Sequence, residues 1–223
     1  MARICIAIDG PAGAGKSTVA KSISRQLGII YLDTGAMYRT VALKALRTGI
    51  DTKDAERLTE LVESIDIRIE YIGNEQRLFL DGEDVTSMIR TPEVSIGASD
   101  VSAVPAVRLK MVELQRAIAQ KSDVVMDGRD IGTYVLPRAK YKFFITASIE
   151  ERAKRRFAEM HSKGASEVTL DEVMKDIAYR DKNDSTRAFA PLSKAPDAIE
   201  IDTTDMEPQQ VVVEILEKIK NNE

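Results

Sequence analysis

One segment near the start of the chain constrains its fold more than any other. Residues 10–18 have the sequence G-P-A-G-A-G-K-S-T, which matches the pattern G-x-x-x-x-G-K-[ST]. The segment directly follows an apolar run, residues 4–8, and directly precedes a stretch with helical periodicity. A strand, a glycine-rich turn and a helix in this order form a loop whose backbone N–H groups converge on one anion. We call residues 10–18 the phosphate loop.

The residue types in the phosphate loop suit the binding of a polyphosphate. Gly10, Gly13 and Gly15 lack a Cβ atom, so the backbone there can adopt dihedral angles that other residues avoid. Lys16 supplies a mobile positive charge that can follow the outer phosphates. The hydroxyl of Ser17 can fill one position of an octahedral Mg²⁺ shell.

Composition and charge disfavour several classes of protein. A chain of 223 residues can bury one substantial core, and its formal net charge of −4 disfavours a surface for nucleic acid. No apolar stretch is long enough to predict a membrane helix, and the first apolar run is too short for a signal peptide. The single cysteine, Cys5, lies in that run, which is typical of a small buried apolar residue. We therefore predict a cytoplasmic protein that binds neither nucleic acid nor a membrane.

Apolar runs and amphipathic segments alternate along the chain, which predicts an α/β fold with a parallel five-stranded sheet flanked by helices. The predicted strands are residues 3–9, 29–32, 123–127, 141–147 and 198–201. The predicted helices are residues 17–27, 107–120, 149–160, 170–180 and a last one from 208 onward. Ligands bind at the carboxyl ends of the strands in such sheets. The aspartates expected at the rim of the site are therefore Asp9, Asp33, Asp127 and Asp202.

One stretch departs from this pattern. Between residues 65 and 84, apolar residues alternate with charged ones, beginning with I-D-I-R-I-E. Turn signals interrupt the alternation at Gly73-Asn74 and at Asp81-Gly82. The stretch predicts an antiparallel hairpin or three-stranded unit inserted into the parallel fold.

A group of arginines lies in or beside turn-like segments at the predicted ends of strands. Its members are Arg39, Arg129, Arg180 and Arg187, with Arg108 opening a helix. Exposed arginines commonly do no more than solvate a surface. Phosphoryl transfer, however, brings two anionic groups together, and guanidinium groups can clamp a phosphate and offset the repulsion. A phosphate acceptor needs no general base, so the single histidine, His161, is predicted to be a surface residue.

Six segments of the chain carry a family resemblance. They are the phosphate loop, Y-L-D-T-G-A-M-Y-R from Tyr31, P-A-V-R from Pro105, V-M-D-G-R-D-I-G-T from Val125, E-E-R-A-K-R-R from Glu150 and the block at residues 180–192. Together they resemble the nucleoside monophosphate kinases, and among them the bacterial cytidylate kinases. The unit at residues 65–84 also resembles the enlarged monophosphate-binding region of the bacterial enzymes, which the shorter adenylate and uridylate relatives lack.

The resemblance implies one phosphate-loop kinase domain over residues 1–223. Residues 34–95 would form its monophosphate-binding region. Residues 150–170 would form a short lid, which includes a polar connection around Gly164 that we expect to be mobile. The implied reaction is the phosphorylation of CMP and dCMP by ATP with Mg²⁺, which gives ADP and CDP or dCDP. The resemblance and the acidic, polar composition both suit a monomer.

The resemblance also implies roles for single residues. The implied ATP-binding residues are Gly10, Pro11, Ala12, Gly13, Ala14, Gly15, Lys16, Ser17 and Thr18, of which Ser17 is the metal ligand. The implied ligands of the acceptor phosphate are Arg39 and Arg129, with Arg187 between phosphate and base. The positions that match contacts to cytosine are Thr34, Ser99, Arg108 and Asp130, and those that match contacts to the sugar are Arg180 and Asp184. Some family members have serine in place of Thr34, which keeps the hydroxyl.

Two assignments stay open at this level. Arg152, Arg155 and Arg156 share one helix, where they either form ion pairs on a solvated face or approach the transferred phosphoryl group when the lid closes. The predicted catalytic residues are Lys16, Arg129 and Arg187, joined in the second case by Arg152 or Arg156. Asp127 either orients water on Mg²⁺ and supports Arg129 as part of the substrate site, or caps a turn.

Two other functions also stay open. One is a phosphate-loop kinase of another small acceptor. The other is a nucleotide-dependent switch that modifies no metabolite, although the chain lacks the guanine-reading tetrapeptide N-K-x-D. Release of ADP with different acceptors distinguishes the three functions.

Overall fold

The computed structural model describes residues 3–73, 75–162 and 167–221. Its strands are β1 (Cys5–Asp9), β2 (Ile30–Asp33), β3 (Ile67–Ile72), β4 (Glu75–Leu80), β5 (Glu83–Asp84), β6 (Val124–Gly128), β7 (Tyr141–Thr146) and β8 (Ile199–Asp202). Its α-helices are α1 (Lys16–Leu27), α2 (Thr34–Arg47), α3 (Ala55–Ser64), α4 (Pro92–Val101), α5 (Pro105–Ala119), α6 (Ile149–Ser162), α7 (Leu170–Thr186) and α8 (Pro208–Lys220). A 3-10 helix at Met88–Arg90 and a π-helical turn at Ile131–Val135 connect some of them.

Five strands form one sheet in the order β2-β6-β1-β7-β8. Each neighbouring pair in this sheet is parallel. All five predicted strands are present, with ends within two residues of the prediction. The predicted parallel five-stranded sheet flanked by helices is therefore confirmed, and the carboxyl ends of its strands meet at one edge.

Two apolar cores lie on opposite faces of this sheet, as the alternation within the central strand β1 requires. Ile6 and Ile8 pack in the core that contains apolar residues of α1 and α8. Ala7, between them, packs in the core that contains residues of α2 and α5. Cys5, predicted to be buried, is half-buried against that second core.

Helices α1, α5, α6, α7 and α8 occur where periodicity predicts them, but two predicted turns are wrong. Helix α7 continues to Thr186, so the segment that begins at Arg180 is helical. Arg39 also lies in a helix, α2, which Asp33 caps by accepting a hydrogen bond from the N–H of Ala36 at 2.8 Å. Aspartate, threonine and glycine favour helix caps as well as turns, and this ambiguity explains the error. No prediction covers α3 or α4.

The alternating stretch forms an antiparallel sheet of three strands in the order β3-β4-β5, as predicted. Gly73 has a positive φ of 62° at the first turn, whose second predicted residue, Asn74, lies outside the described residues. The small sheet contacts the backbone of strand β2. Gln76 accepts a hydrogen bond from Asp33 N–H at 2.7 Å, and the Tyr71 hydroxyl donates to the Tyr31 carbonyl at 3.2 Å. These bonds fix the inserted unit beside the start of α2.

The segment between α6 and α7 is only partly described. Gly164 of the predicted mobile connection lies outside the described residues, and residues 161 and 162 belong to α6 instead. His161 is exposed, which confirms its prediction as a surface residue. Thr169 and Glu172 form a capping box that begins α7. Within the described ranges, no helix combines the length and apolarity needed to cross a membrane.

Candidate active site

The phosphate loop links β1 to α1 through glycines with positive φ at residues 10, 13 and 15, two of which also lie close to neighbouring elements. Gly10 has a φ of +147°, and a Cβ atom there would lie 1.9 Å from the carbonyl oxygen of Ile145 in strand β7. Gly13 has a φ of +75°, and a Cβ atom there would lie 3.0 Å from the carbonyl oxygen of Arg152 in α6. The loop is therefore packed closely against both β7 and α6.

A cavity of about 900 Å³ opens beside this loop at the carboxyl edge of the sheet. The loop, the first turn of α2, helix α4, the end of β6 and helices α6 and α7 all contribute to its walls. The predicted site residues that line it are Ala12, Gly13, Ala14, Gly15, Lys16, Ser17, Thr18, Thr34, Arg39, Ser99, Arg108, Asp127, Arg129, Asp130, Arg156, Arg180, Asp184 and Arg187. The predicted residues that do not line it are Gly10, Pro11 and Arg152.

Lys16 and Asp127 lie at the loop end of the cavity. The Lys16 ammonium donates to the Pro11 carbonyl at 2.5 Å, and the Ser17 hydroxyl donates to Oδ2 of Asp127 at 2.8 Å. Burial lowers the pKa of Lys16 well below its ordinary value, and the nearby Arg129 acts in the same direction. Burial also raises the pKa of Asp127. The ammonium has no carboxylate partner among the described residues, so an anionic ligand beside it would restore a favourable environment for its charge.

The arginines of the cavity have fewer acceptors than donors. The Nε atoms of Arg39 and Arg180 are buried and have no hydrogen-bond partner within residues 3–73, 75–162 and 167–221. Burial lowers the pKa of Arg180 to about 10, and the neighbouring Arg129 adds to this effect. Buried donors without partners are costly, so their accumulation around one cavity favours a ligand that supplies several anionic oxygens.

Asp33 and Asp184 compensate part of this positive charge. Oδ2 of Asp33 accepts from Arg39 at 2.9 Å and from Arg90 at 3.1 Å. Oδ2 of Asp184 accepts from Nε of Arg129 at 2.7 Å. Although burial opposes ionisation of Asp184, the guanidinium groups of Arg129 and other arginines hold its pKa below the usual range. Both carboxylates therefore orient arginines that line the cavity.

A second set of buried polar groups lies farther from the loop. Arg108 is 1% exposed and forms an ion pair with Asp130, and it also donates to the Ser102 carbonyl at 3.2 Å. Asp130 also lies 3.5 Å from Arg187, which donates to the Ser102 hydroxyl at 3.1 Å. Nearby, the Ser99 hydroxyl donates to Oδ1 of Asp184 at 3.0 Å. Hydroxyl, carboxylate and guanidinium groups thus stand together, as recognition of a polar heterocycle requires.

Comparison with known proteins identifies the family of this chain. A family model described as cytidylate kinase matches residues 6–221. The chain belongs to the cytidylate kinase family. It is therefore a kinase, a transferase with a phosphate-loop fold.

Full-length relatives agree with this assignment. The chain is 51% identical to a cytidylate kinase of Caldicellulosiruptor bescii over 226 residues, which covers 100% of both chains. It is 52% identical to a cytidylate kinase of Limosilactobacillus reuteri over 218 residues, which covers 98% of this chain and 96% of the relative. Among solved structures, an uncharacterized protein from Eubacterium ventriosum is similar in fold, with a TM-score of 0.53 and 16% identity over 98% of this chain and 99% of that one.

Two of the four aspartates expected at the rim of the kinase site lie elsewhere. Asp33 and Asp127 line the cavity, whereas Asp9 is buried under it and accepts hydrogen bonds from the N–H groups of Ile131 and Gly132 at 2.8 and 2.7 Å. Asp202 is exposed at the end of the edge strand β8, where it accepts hydrogen bonds from Thr204. The strand ends share one edge, but the direction of each side chain depends on the turn that follows.

The structure also adds residues that the sequence analysis did not assign to the site. Tyr38 and Arg90 line the cavity, and so does Arg155, whose neighbour Arg156 is one of the two predicted catalytic residues of the lid. Arg155 donates to the Thr203 carbonyl at 2.6 Å, which joins α6 to the turn before α8. Arg90 lies in the predicted monophosphate-binding region but follows no turn motif, so the sequence contained no signal for it.

The buried carboxyl group of Asp9 should make the free energy of unfolding depend on pH. Burial raises its pKa from 3.8 to about 7, although the two N–H donors favour the ionised form. Because the folded protein then binds this proton more tightly than the unfolded chain, the contribution of Asp9 to the free energy of unfolding is fully present below about pH 4 and is lost as the pH rises through 7. A ¹³C NMR titration should give the Asp9 carboxyl carbon a midpoint of about 7. A midpoint near 4 would contradict the prediction, and Asp184, titrating below 3.8, serves as the control.

Proposed function

We propose that this kinase transfers the γ-phosphoryl group of ATP to CMP and dCMP, giving ADP and CDP or dCDP. The observation that carries the proposal is a single cavity with two different ends. The glycine-rich loop with Lys16 forms one end, and the arginine and aspartate groups around Arg129 and Asp130 form the other. A volume of about 900 Å³ suits two nucleotides side by side.

The donor triphosphate would bind at the loop. Backbone N–H groups of residues 13–18 and the N-terminus of α1 attract its phosphates. The mobile Lys16 ammonium would leave the Pro11 carbonyl and follow the negative charge that develops on the transferred group. Catalysis here consists of charge stabilisation and positioning, since the acceptor phosphate is already ionised near neutral pH.

The acceptor phosphate would bind among Arg39, Arg129 and Arg187. Planar guanidinium groups offer paired donors, which offset the repulsion between the two nucleotides and align the acceptor oxygen with the γ-phosphorus. Arg129 lies directly beyond strand β6 and lines the same cavity as Lys16, and its charge lowers the pKa of that lysine. This proximity of the two cationic groups supports transfer between adjacent anions.

The acceptor nucleoside would lie between α4 and α7. Cytosine presents N3 and O2 as acceptors and N4 as a donor, which complements an arginine together with a carboxylate or hydroxyl. Thr34, Ser99, Arg108 and Asp130 supply those groups, and Arg180 and Asp184 are the candidates for the sugar hydroxyls. Uracil reverses part of this pattern and would leave buried groups unpaired, at a cost of about 1–3 kcal/mol for each group.

Mg²⁺ fits the donor set beside the loop. Ser17 and Asp127 supply hard oxygen atoms 2.8 Å apart. A cation beside Asp127 would favour the ionised carboxylate, which burial disfavours. In the described parts of the chain, no group of three or more His, Cys, Asp or Glu residues could hold a metal. Phosphate oxygens and water would therefore complete the shell. When bound, Mg²⁺ neutralises charge on the donor phosphates.

Two segments would move during the reaction. We propose residues 34–95 as the monophosphate-binding region and residues 150–170 as the lid. Arg156 supports the second assignment, because it lines the cavity and pairs with Glu159 of its own helix, at 2.8 Å, and, among the described residues, not with another element of the site. Closure of the lid would exclude water, which otherwise competes as an acceptor.

Release of ADP with different acceptors tests the proposed function. CMP and dCMP should support strong turnover, while UMP, AMP, GMP and acceptor-free buffer should give much less. Strong turnover with a different acceptor would identify another small-molecule kinase. Equal turnover without any acceptor would instead support the nucleotide-dependent switch.

Arg129→Ala should weaken chiefly the binding of the acceptor nucleotide. We expect the KM for CMP to rise at least about tenfold, because one charge-assisted contact to the phosphate is lost and Asp184 is left without its closest partner. The Kd for ATP, measured by calorimetry, should change less than about twofold. Arg116→Ala is the matched control, since Arg116 does not line the cavity and donates to the backbone carbonyls of Tyr134 and Val135. A large loss of ATP binding in Arg129→Ala would contradict this assignment and indicate that Arg129 binds the donor nucleotide.

A further inference from the structure

Two side chains from outside the phosphate loop bond its backbone at Ala12. Asp181, in α7, accepts a hydrogen bond from the N–H of Ala12, with 3.1 Å between nitrogen and Oδ1. Arg152, in α6, donates from Nη1 to the carbonyl of Ala12 at 3.0 Å. The peptide groups on both sides of the Ala12 Cα atom are therefore held by side chains of helices α6 and α7.

These two side chains also fix each other. Nη1 of Arg152 lies 2.5 Å from Oδ2 of Asp181, and Nε of Arg152 donates to the Ala147 carbonyl at 2.9 Å. The Arg152 side chain is 8% exposed and that of Asp181 is 22% exposed. A guanidinium group bonded to two carbonyls and one carboxylate has little freedom to move.

Close packing at the next residue strengthens the connection. A Cβ atom on Gly13 would lie 3.0 Å from the carbonyl oxygen of Arg152 and 3.4 Å from Cδ1 of Ile177. Helices α6 and α7 thus contact the loop through van der Waals packing as well as through hydrogen bonds. Because interiors are closely packed, a change at this contact would shift the loop backbone.

We propose that Arg152 and Asp181 are positioning residues for the donor phosphates. Their bonds orient the peptide groups at Ala12 and, through them, the loop backbone that follows, residues 13–17, which lines the cavity, while the N–H of Ala12 itself is occupied by Asp181. Neither side chain lines the cavity, so both act through the backbone of the loop and not by touching a nucleotide. The inference rests on the proposed function only in taking a nucleoside triphosphate as the donor.

ATP binding without an acceptor tests the proposal. Asp181→Ala and Asp181→Asn should each raise the Kd for ATP, measured by calorimetry, about tenfold. Alanine removes both acceptors, and asparagine keeps only one of the two oxygens that Ala12 and Arg152 bond separately. The KM for CMP should stay within about twofold of the wild type. Arg152→Lys keeps the charge but loses the fork of donors, so its Kd for ATP should lie between those of the wild type and Asp181→Ala.

Asp197→Asn is the matched control for a purely structural role. Lys142 is also a buried cation, 6% exposed, and it donates to the Pro137 carbonyl at 2.6 Å and to Asp197 at 2.8 Å, away from the main cavity. The side chain of Asp197 is 64% exposed and that of Asp181 is 22% exposed, so thermal unfolding should record a loss of stability in Asp197→Asn no larger than that in Asp181→Asn. Only the Asp181 variant should weaken ATP binding and accelerate hydrogen exchange at the Ala12 amide, followed by NMR, at least about tenfold.

Three results would overturn the proposal. They are a Kd for ATP within about twofold of the wild type in Asp181→Ala, an equal weakening in Asp197→Asn, and a rise in the KM for CMP as large as the rise in the Kd for ATP. If the proposed function is wrong, the result is different. The wild type then fails to phosphorylate CMP, while the comparison of the Kd values for ATP between wild type and variants still holds.

Discussion

Replacing Lys16 with alanine is expected to lower kcat at least about a hundredfold while the fold survives. The ammonium is the one cationic side chain of the phosphate loop, and its charge would be most valuable when negative charge moves onto the transferred group. Its removal should not unfold the protein. Burial and the nearby Arg129 already disfavour the charged lysine in the folded state, as its lowered pKa indicates.

Steady-state kinetics with saturating ATP and CMP measure this loss, and circular dichroism with thermal unfolding checks the fold. Lys142→Ala is the matched control, because Lys142 is another buried lysine that bonds a proline carbonyl. That variant should lower the thermal midpoint and keep kcat within about threefold of the wild type. A Lys16→Ala enzyme as fast as the wild type would contradict the assignment of the phosphate loop.

Among the substitutions proposed here, replacing Asp130 with asparagine should lower the free energy of unfolding the most. Arg108 is 1% exposed and pairs with this carboxylate, and the carboxylate also lies 3.5 Å from Arg187. Removing one partner of a buried ion pair leaves uncompensated charge, which costs about 3–5 kcal/mol. For a domain of this size, that cost corresponds to a fall in Tm of about 10 °C.

Chemical denaturation measures the change in the free energy of unfolding for this variant. Glu83→Gln is the control, because the ion pair between Arg47 and Glu83 is well exposed and should contribute less than about 1 kcal/mol. Discrimination between CMP and UMP should also fall in Asp130→Asn, since the variant disturbs the candidate base-binding groups. A loss of stability below about 1 kcal/mol would contradict the assignment of Asp130 as the carboxylate that compensates the charge of Arg108.

Local sequence predicted the parts of this kinase whose signal is local. The phosphate loop is specified by its own residues, and the parallel strands by apolar runs such as the one around Ile6 and Ile8. The inserted sheet was likewise visible in the alternation of residues 65–84. The cytoplasmic location and the monomeric state stay predictions.

The partners of the arginines were beyond the reach of local sequence. Arg152 and Arg156 lie four residues apart on α6, and no pattern indicates that the first bonds Ala12 beneath the loop while the second lines the cavity. Arg90 and Arg39 share the carboxylate of Asp33, although 57 residues separate Arg90 from that aspartate in sequence.

The sequence by itself determined the sheet, the phosphate loop and the set of charged residues available for a site, because hydrophobic periodicity and glycine content act over a few residues. Only the tertiary structure decided which charges meet. Asp184 reaches Ser99 across 85 residues and Arg129 across 55, and these contacts exist because α4, α7 and the end of β6 converge at one edge of the sheet. Electrostatic pairing depends on distance in space, and for residues this far apart in the chain the sequence separation carries no information about that distance.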